Sequence, residues 1–147
     1  MRQLSLFKKT NQRGIAPPPL EFETHCVLAD ICRRWLSPRW RFTHLPLGEH
    51  REHRINRKGR RFSPSGGRLK RMGVVPGWPD FVFAGPNKHV VWLELKRKRL
   101  GRVSAEQSEI GAHLEASGFD FLITDDVGKA VRWLCDLGVL SASIEVQ

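Results

Sequence analysis

Asp80, Glu94 and Lys96 lie in a stretch, GWPDFVFAGPNKHVVWLELK (77–96), that is otherwise rich in Phe, Val, Trp and Leu. Charged side chains in apolar surroundings are costly unless they are paired or bound. Two carboxylates that meet at one point repel each other unless a cation lies between them. Hard oxygen ligands of this kind suit Mg²⁺ or Mn²⁺, which keep several waters and take phosphate oxygens as further ligands. A metal held there lowers the pKa of a bound water and neutralises charge as a phosphodiester is attacked. Lys96, about 7 Å along an extended chain from Glu94, is placed to orient that water or to stabilise the pentavalent state. The plainer alternative is a solvated Glu94–Lys96 ion pair at the surface. An Asp on an adjacent strand, the apolar setting and a basic chain weigh against it.

Whether these groups meet depends on the strands that carry them. Residues 80–84 and 90–96 read as the arms of a hairpin, joined through the turn formers Gly85, Pro86 and Asn87. Side chains alternate faces along a strand. If Asp80 lies opposite Glu94, Phe81 and Phe83 meet Leu93 and Val91 on one face, and Asp80, Glu94 and Lys96 gather on the other. A slip of one residue sends Asp80 and Glu94 to opposite faces and the phenylalanines to the Trp92 face. Apolar packing permits either register.

The remaining elements follow from periodicity. Leu28, Ile31, Cys32 and Trp35 form one stripe of a helix over about 20–36, which Ser37-Pro38 ends. RWRFTHLPL (39–47) alternates as a short strand. Residues 48–71 break all periodicity; they carry nine of the 25 Lys and Arg residues and read as a flexible basic loop with a helical turn near 67–72. A helix from Ser104 to about Ser117 carries an S-x-x-Q capping box (Ser104, Gln107) and a Gly118 stop. FDFLIT (119–124) is a strand, and a last helix covers 127–137. The order implies an α/β fold with a mixed sheet flanked by helices. Trp35, Trp40 and Trp133 read as core, and Trp78 packs against the sheet or stacks on a base.

The chain has 147 residues and a formal net charge of +10. That length suits one domain, 20–147, behind a basic, proline-rich arm over 1–19. The charge points to a polyanion, with nucleic acid the first choice and an anionic membrane surface the alternative. No stretch approaches the roughly 18 apolar residues of a membrane span, and the N-terminus lacks the apolar region of a secretory signal. Cys26, Cys32 and Cys135 are odd in number and read as buried thiols in a reducing compartment. His25 beside Cys26 is a weak zinc signal without a CxxC or HxxxH pair.

Pro79-Asp80 followed by Glu94-Leu95-Lys96 resembles the signature of the PD-(D/E)XK nucleases. RLKRMGVVPGWPDFVF (68–83), LELKRKRLGRVSAEQ (93–107) and FTHLPLGEHR (42–51) are similar to its VRR-NUC branch, which includes stand-alone phage and bacterial enzymes and the C-terminal domain of the Fanconi-associated nuclease. The resemblance covers roughly 21–138. It implies an αβββαβ core of the restriction-endonuclease type, Mg²⁺ or Mn²⁺, hydrolysis of DNA phosphodiesters, and the cytoplasm of a bacterial or phage-infected cell. Some stand-alone members resolve four-way junctions, usually as homodimers. Carried over by position, Asp80 and Glu94 are metal ligands, the main-chain carbonyl of Leu95 is a further ligand, and Lys96 is the catalytic lysine. Gln107 matches a helix glutamine near the active site, a role that competes with its capping box. Glu21 and Glu23 compete for the family's first-helix glutamate; Glu21, on the face of His25 and Leu28, is preferred, and both also suit the helix dipole. His44 matches an H-x-P strand end, although Leu47-Gly48-Glu49 stands where Asn-Gly-Gly is usual.

Arg51, Arg54, Arg57, Lys58, Arg60, Arg61, Arg68, Lys70, Arg71 and Lys98 are the expected phosphate-neutralising groups. The sequence therefore reads as a metal-dependent endonuclease acting on structured or branched DNA, since the chain has no separate sequence-reading module. The alternatives are a flap or duplex nuclease, or a DNA-binding module on a nuclease-like fold without catalysis. An RNA- or membrane-binding basic protein has only the charge behind it.

Overall fold

Strand β5 (Val90–Leu95) sets the centre of the fold, because Val91, Leu93 and Leu95 point one way and are fully buried while Trp92 and Glu94 point the other. The computed structural model describes residues 20–47, 54–99 and 101–141. In chain order these form α1 (Glu21–Trp35), β1 (Arg41–His44), β2 (Arg54–Ile55), β3 (Arg61–Phe62), α2 (Pro64–Arg71), β4 (Phe81–Ala84), β5, α3 (Ala105–Ala116), β6 (Asp120–Thr124) and α4 (Val127–Asp136). The sheet runs β1-β4-β5-β6, with β1, β4 and β5 antiparallel and β6 parallel to β5. This is a mixed four-stranded sheet flanked by helices.

The hairpin register is the one that clusters the charges. Phe81 pairs with Leu93 and Phe83 with Val91, so both phenylalanines enter the core and Asp80 stands at the level of Glu94. Helices α1 and α4 close the face that carries Phe81, Phe83, Leu93 and Leu95, contributing Leu28 and Cys32 from α1 and Ala130, Val131 and Leu134 from α4. Helix α3 covers the opposite face. Its Gly111 lies against Phe121, where a Cβ would come within 2.4 Å of the ring, and Phe121 pairs with Trp92.

Residues 54–71 fold rather than remain a loop. Strands β2 and β3 form a separate two-stranded ribbon. Its turn is tied by the Asn56 side-chain oxygen, which accepts the Lys58 and Arg60 amides at 3.0 and 2.9 Å. The chain then enters α2 through Ser63, whose hydroxyl accepts the Gly66 amide, with Pro64 fitting the first helical position. Such polar turn and cap bonds leave no apolar period behind, which is why the segment is featureless to a periodicity reading. The thiols also need correction. Cys32 is buried and Cys135 half-buried, but Cys26 is exposed; it falls on the outer side of α1, between the buried His25 and Leu28 positions. Trp40 is buried, while Trp35 and Trp133 are half-buried against the core. Trp78 packs beside Trp92, ring centres 5.1 Å apart.

Candidate active site

Glu94 is a charged residue at a strand position only 2 % exposed. Three groups reach its carboxylate. Lys96 Nζ is 2.5 Å from Oε1, Gln107 Nε2 donates to the same oxygen, and the Asp80 amide donates to Oε2 at 3.2 Å. Burial, then the nearby negative charge of Asp80, push the Glu94 carboxyl up to about 7, against the pull of the Lys96 hydrogen bond and charge. Asp80 precedes β4 and turns its side chain across the end of the ladder. There Oδ2 accepts the Leu95 amide at 3.1 Å and lies 3.3 Å from His25 Nε2. The Leu95 carbonyl receives His25 Nε2 at 3.0 Å.

Two neighbouring features hold this edge. The Gly77 backbone takes φ +94°, and a Cβ there would come within 2.6 Å of the Glu106 carbonyl group. Only glycine lets the chain before Pro79-Asp80 approach the first turn of α3 so closely. That turn carries Gln107, which does two jobs at once. Its Oε1 accepts the Ser104 amide at 3.0 Å, and its backbone amide donates to the Ser104 hydroxyl at 3.2 Å, completing the capping box. Its Nε2 remains for Glu94.

The structure thus brings Asp80, Glu94, the Leu95 carbonyl, Lys96 and Gln107 together. Of the first-helix acids, Glu21 lies exposed on the first turn of α1, and Glu23 accepts the Leu20 amide at 3.0 Å as a cap. The α1 side chain that touches Asp80 is His25, 6 % exposed. Sequence reasoning missed it as a site residue. Its signal was a polar residue three positions before Leu28, on the apolar stripe of α1. His44 ends β1 opposite Phe81, with its ring 4.9 Å from that of His25. His25, His44 and Asp80 each offer a ligand atom, all within 4.8 Å of one another, so this group could hold a metal ion.

Arg54, Arg57, Lys58, Arg60 and Arg61 on the ribbon, Arg68, Lys70 and Arg71 on α2, and Lys98 after β5 are all exposed at the surface. Arg51 lies outside the described residues, as do the arm over 1–19 and the histidines at 50 and 53. No helix among the described residues is long and apolar enough to cross a membrane.

Fold and site define a mixed α/β core whose sheet gathers two carboxylates, a lysine and a glutamine at one end of its central strands. A solved structure described as a VRR_NUC domain protein is similar to this chain, with a TM-score of 0.57 and 21 % identity over 82 % of this chain and 89 % of that one. The chain accordingly has a VRR-NUC-like fold. No family model and no curated protein matches it.

Proposed function

We propose that this protein is a metal-dependent endonuclease that hydrolyses DNA phosphodiesters. The observation that carries the reading is the convergence of Asp80 and Glu94 beside Lys96 on a buried strand end. A carboxylate whose proton affinity is raised by burial and then by a second carboxylate is a place where a cation is wanted. The donor set is all oxygen, and it fits a hard divalent ion. Asp80, Glu94 and the Leu95 carbonyl would hold Mg²⁺ or Mn²⁺. Bound there, such an ion makes a water more acidic and neutralises phosphate charge.

The chain's own groups supply the rest. Lys96 favours the ionised form of Glu94 against the effect of burial and presents a positive charge toward a phosphate oxygen or the attacking water. Gln107 fixes the Glu94 carboxylate through an amide that α3 has already oriented by capping. His25 holds the Asp80 carboxylate and the Leu95 carbonyl in one place. The surface arginines and lysines of the ribbon and α2 neutralise the backbone of the duplex. Branched DNA is the proposed substrate class, and a two-fold pair of protomers suits the symmetry of a four-way junction. The VRR_NUC neighbour supports this reading through the fold it shares.

The test is cleavage of end-labelled four-way junction, flap and linear duplex by wild type and Asp80→Asn, with Mg²⁺, Mn²⁺ or EDTA. Paired symmetric nicks in the junction, abolished by EDTA and by the substitution, are expected. Cutting of flaps or duplex instead would retain the nuclease and discard the junction. Tight, salt-sensitive binding with no cutting in either metal would leave a DNA-binding protein on a nuclease-like fold.

A further inference from the structure

The all-oxygen position uses neither the His25 nor the His44 imidazole as a ligand. An imidazole on the buried stripe of a helix is expensive unless it has work there. The two rings come from different elements, α1 and β1, yet they meet edge to face at 4.9 Å. Phe81 packs against both, with its ring centre 5.5 Å from that of His25 and 5.0 Å from that of His44. The phenylalanine walls the pair on the core side. The Leu95 carbonyl and the Asp80 carboxylate orient the His25 ring.

The donor chemistry differs from that of the neighbouring carboxylates. Two imidazoles and one carboxylate select borderline ions of the Zn²⁺ and Co²⁺ type, whereas Mg²⁺ avoids nitrogen. Ligands at about 2.1 Å from a tetrahedral zinc stand about 3.4 Å apart. The three ligand atoms lie within 4.8 Å of each other, so side-chain rotation has to draw them together by at most about 1.4 Å. Three protein ligands leave open positions for water or a phosphate oxygen.

We propose that His25, His44 and Asp80 form a distinct site for a borderline divalent transition ion, next to the Asp80–Glu94 position and sharing Asp80 with it. A ligating imidazole presents a lone pair in place of a ring proton, so occupation replaces the hydrogen bond to Leu95 or leaves it on the other nitrogen. The proposal shares a residue with the nuclease reading but does not depend on cleavage.

The experiment is titration of the metal-free full chain with Co²⁺, read by its visible ligand-field absorption, followed by competition with Zn²⁺ and with Mg²⁺. Wild type, His25→Ala, His44→Ala and Glu94→Gln are compared, with circular dichroism as the check on folding. One Co²⁺ is expected to bind, to be displaced by Zn²⁺ and to resist Mg²⁺. His44→Ala, at a half-buried strand end, should remain folded and weaken Co²⁺ by about tenfold or more; His25→Ala should do the same if it folds. Glu94→Gln should keep the Co²⁺ spectrum. No Co²⁺ binding by wild type, an affinity indifferent to His44, or a spectrum lost in Glu94→Gln would each overturn the proposal. A chain that holds Co²⁺ through His44 and cuts no DNA would sink the nuclease reading and leave this site standing. A cutting enzyme indifferent to His44 in Co²⁺ binding would do the reverse.

Discussion

The raised proton affinity of Glu94 makes a measurable demand on the stability of the metal-free chain. Its carboxyl moves from the usual 4.5 up to about 7, chiefly through burial and then through Asp80. The folded state therefore holds this proton more tightly than the unfolded state does. The sign follows from linkage: stability is complete below about pH 4.5 and is lost as pH rises through about 7, because the native chain must ionise a buried acid. Each pKa unit is worth about 1.36 kcal/mol, so the full effect is about 3 kcal/mol. Urea unfolding followed by tryptophan fluorescence, in EDTA from about pH 4.5 to about 8.5, should show that loss in wild type relative to Glu94→Gln. Subtracting the variant removes the contributions of titrating groups that do not interact with Glu94. Adding Mg²⁺ at about 100 times its dissociation constant should return about 2.7 kcal/mol, most effectively above pH 7, where no proton need be displaced. A wild-type-minus-variant difference that is flat with pH, or that grows as pH rises, would refute the reasoning.

Other consequences are simpler to read. Gln107→Ala removes both the cap acceptor and the donor to Glu94, and should cost about 1–2 kcal/mol in chemical denaturation as well as weakening Mg²⁺ binding in calorimetry. Gly77→Ala touches no proposed ligand, yet it combines a positive φ with a 2.6 Å approach to the Glu106 backbone. It should destabilise by about 2 kcal/mol or more and lower cleavage by displacing α3, whereas unchanged melting and activity would show that the segment yields freely. Replacing Arg57, Lys58 and Arg60 at the ribbon tip by Ala should reduce the slope of log binding constant against log salt by up to about 3, about 0.9 for each phosphate no longer neutralised, with the cleavage rate at saturating DNA preserved. An unchanged slope would place the DNA elsewhere.

Much of this arrangement was legible in the residues. The hairpin from Asp80 to Lys96, its turn and the five outer elements follow from alternation, apolar stripes and caps, all of which are local. The clustered register was one of two that the pattern allowed, and the core chose between them by burying Phe81 and Phe83 against Leu93 and Val91. The capping box at Ser104 and Gln107 was visible, but the reach of the same side chain to Glu94 depends on how α3 lies across the sheet, held by Gly77 and Gly111. The ribbon and α2 were hidden because hydrogen bonds from Asn56 and Ser63, rather than an apolar period, organise them. His25 was the larger omission. It lies far from both Asp80 and His44 in the chain, and no spacing rule connects the three. The sequence alone determined which groups share a strand face, since side-chain direction is fixed by the backbone one residue at a time. Only the tertiary structure decided that α1 would press an imidazole between Asp80 and Leu95, because that meeting is set by the packing of Leu28 and Cys32 onto the sheet, summed over many weak contacts far apart in the chain.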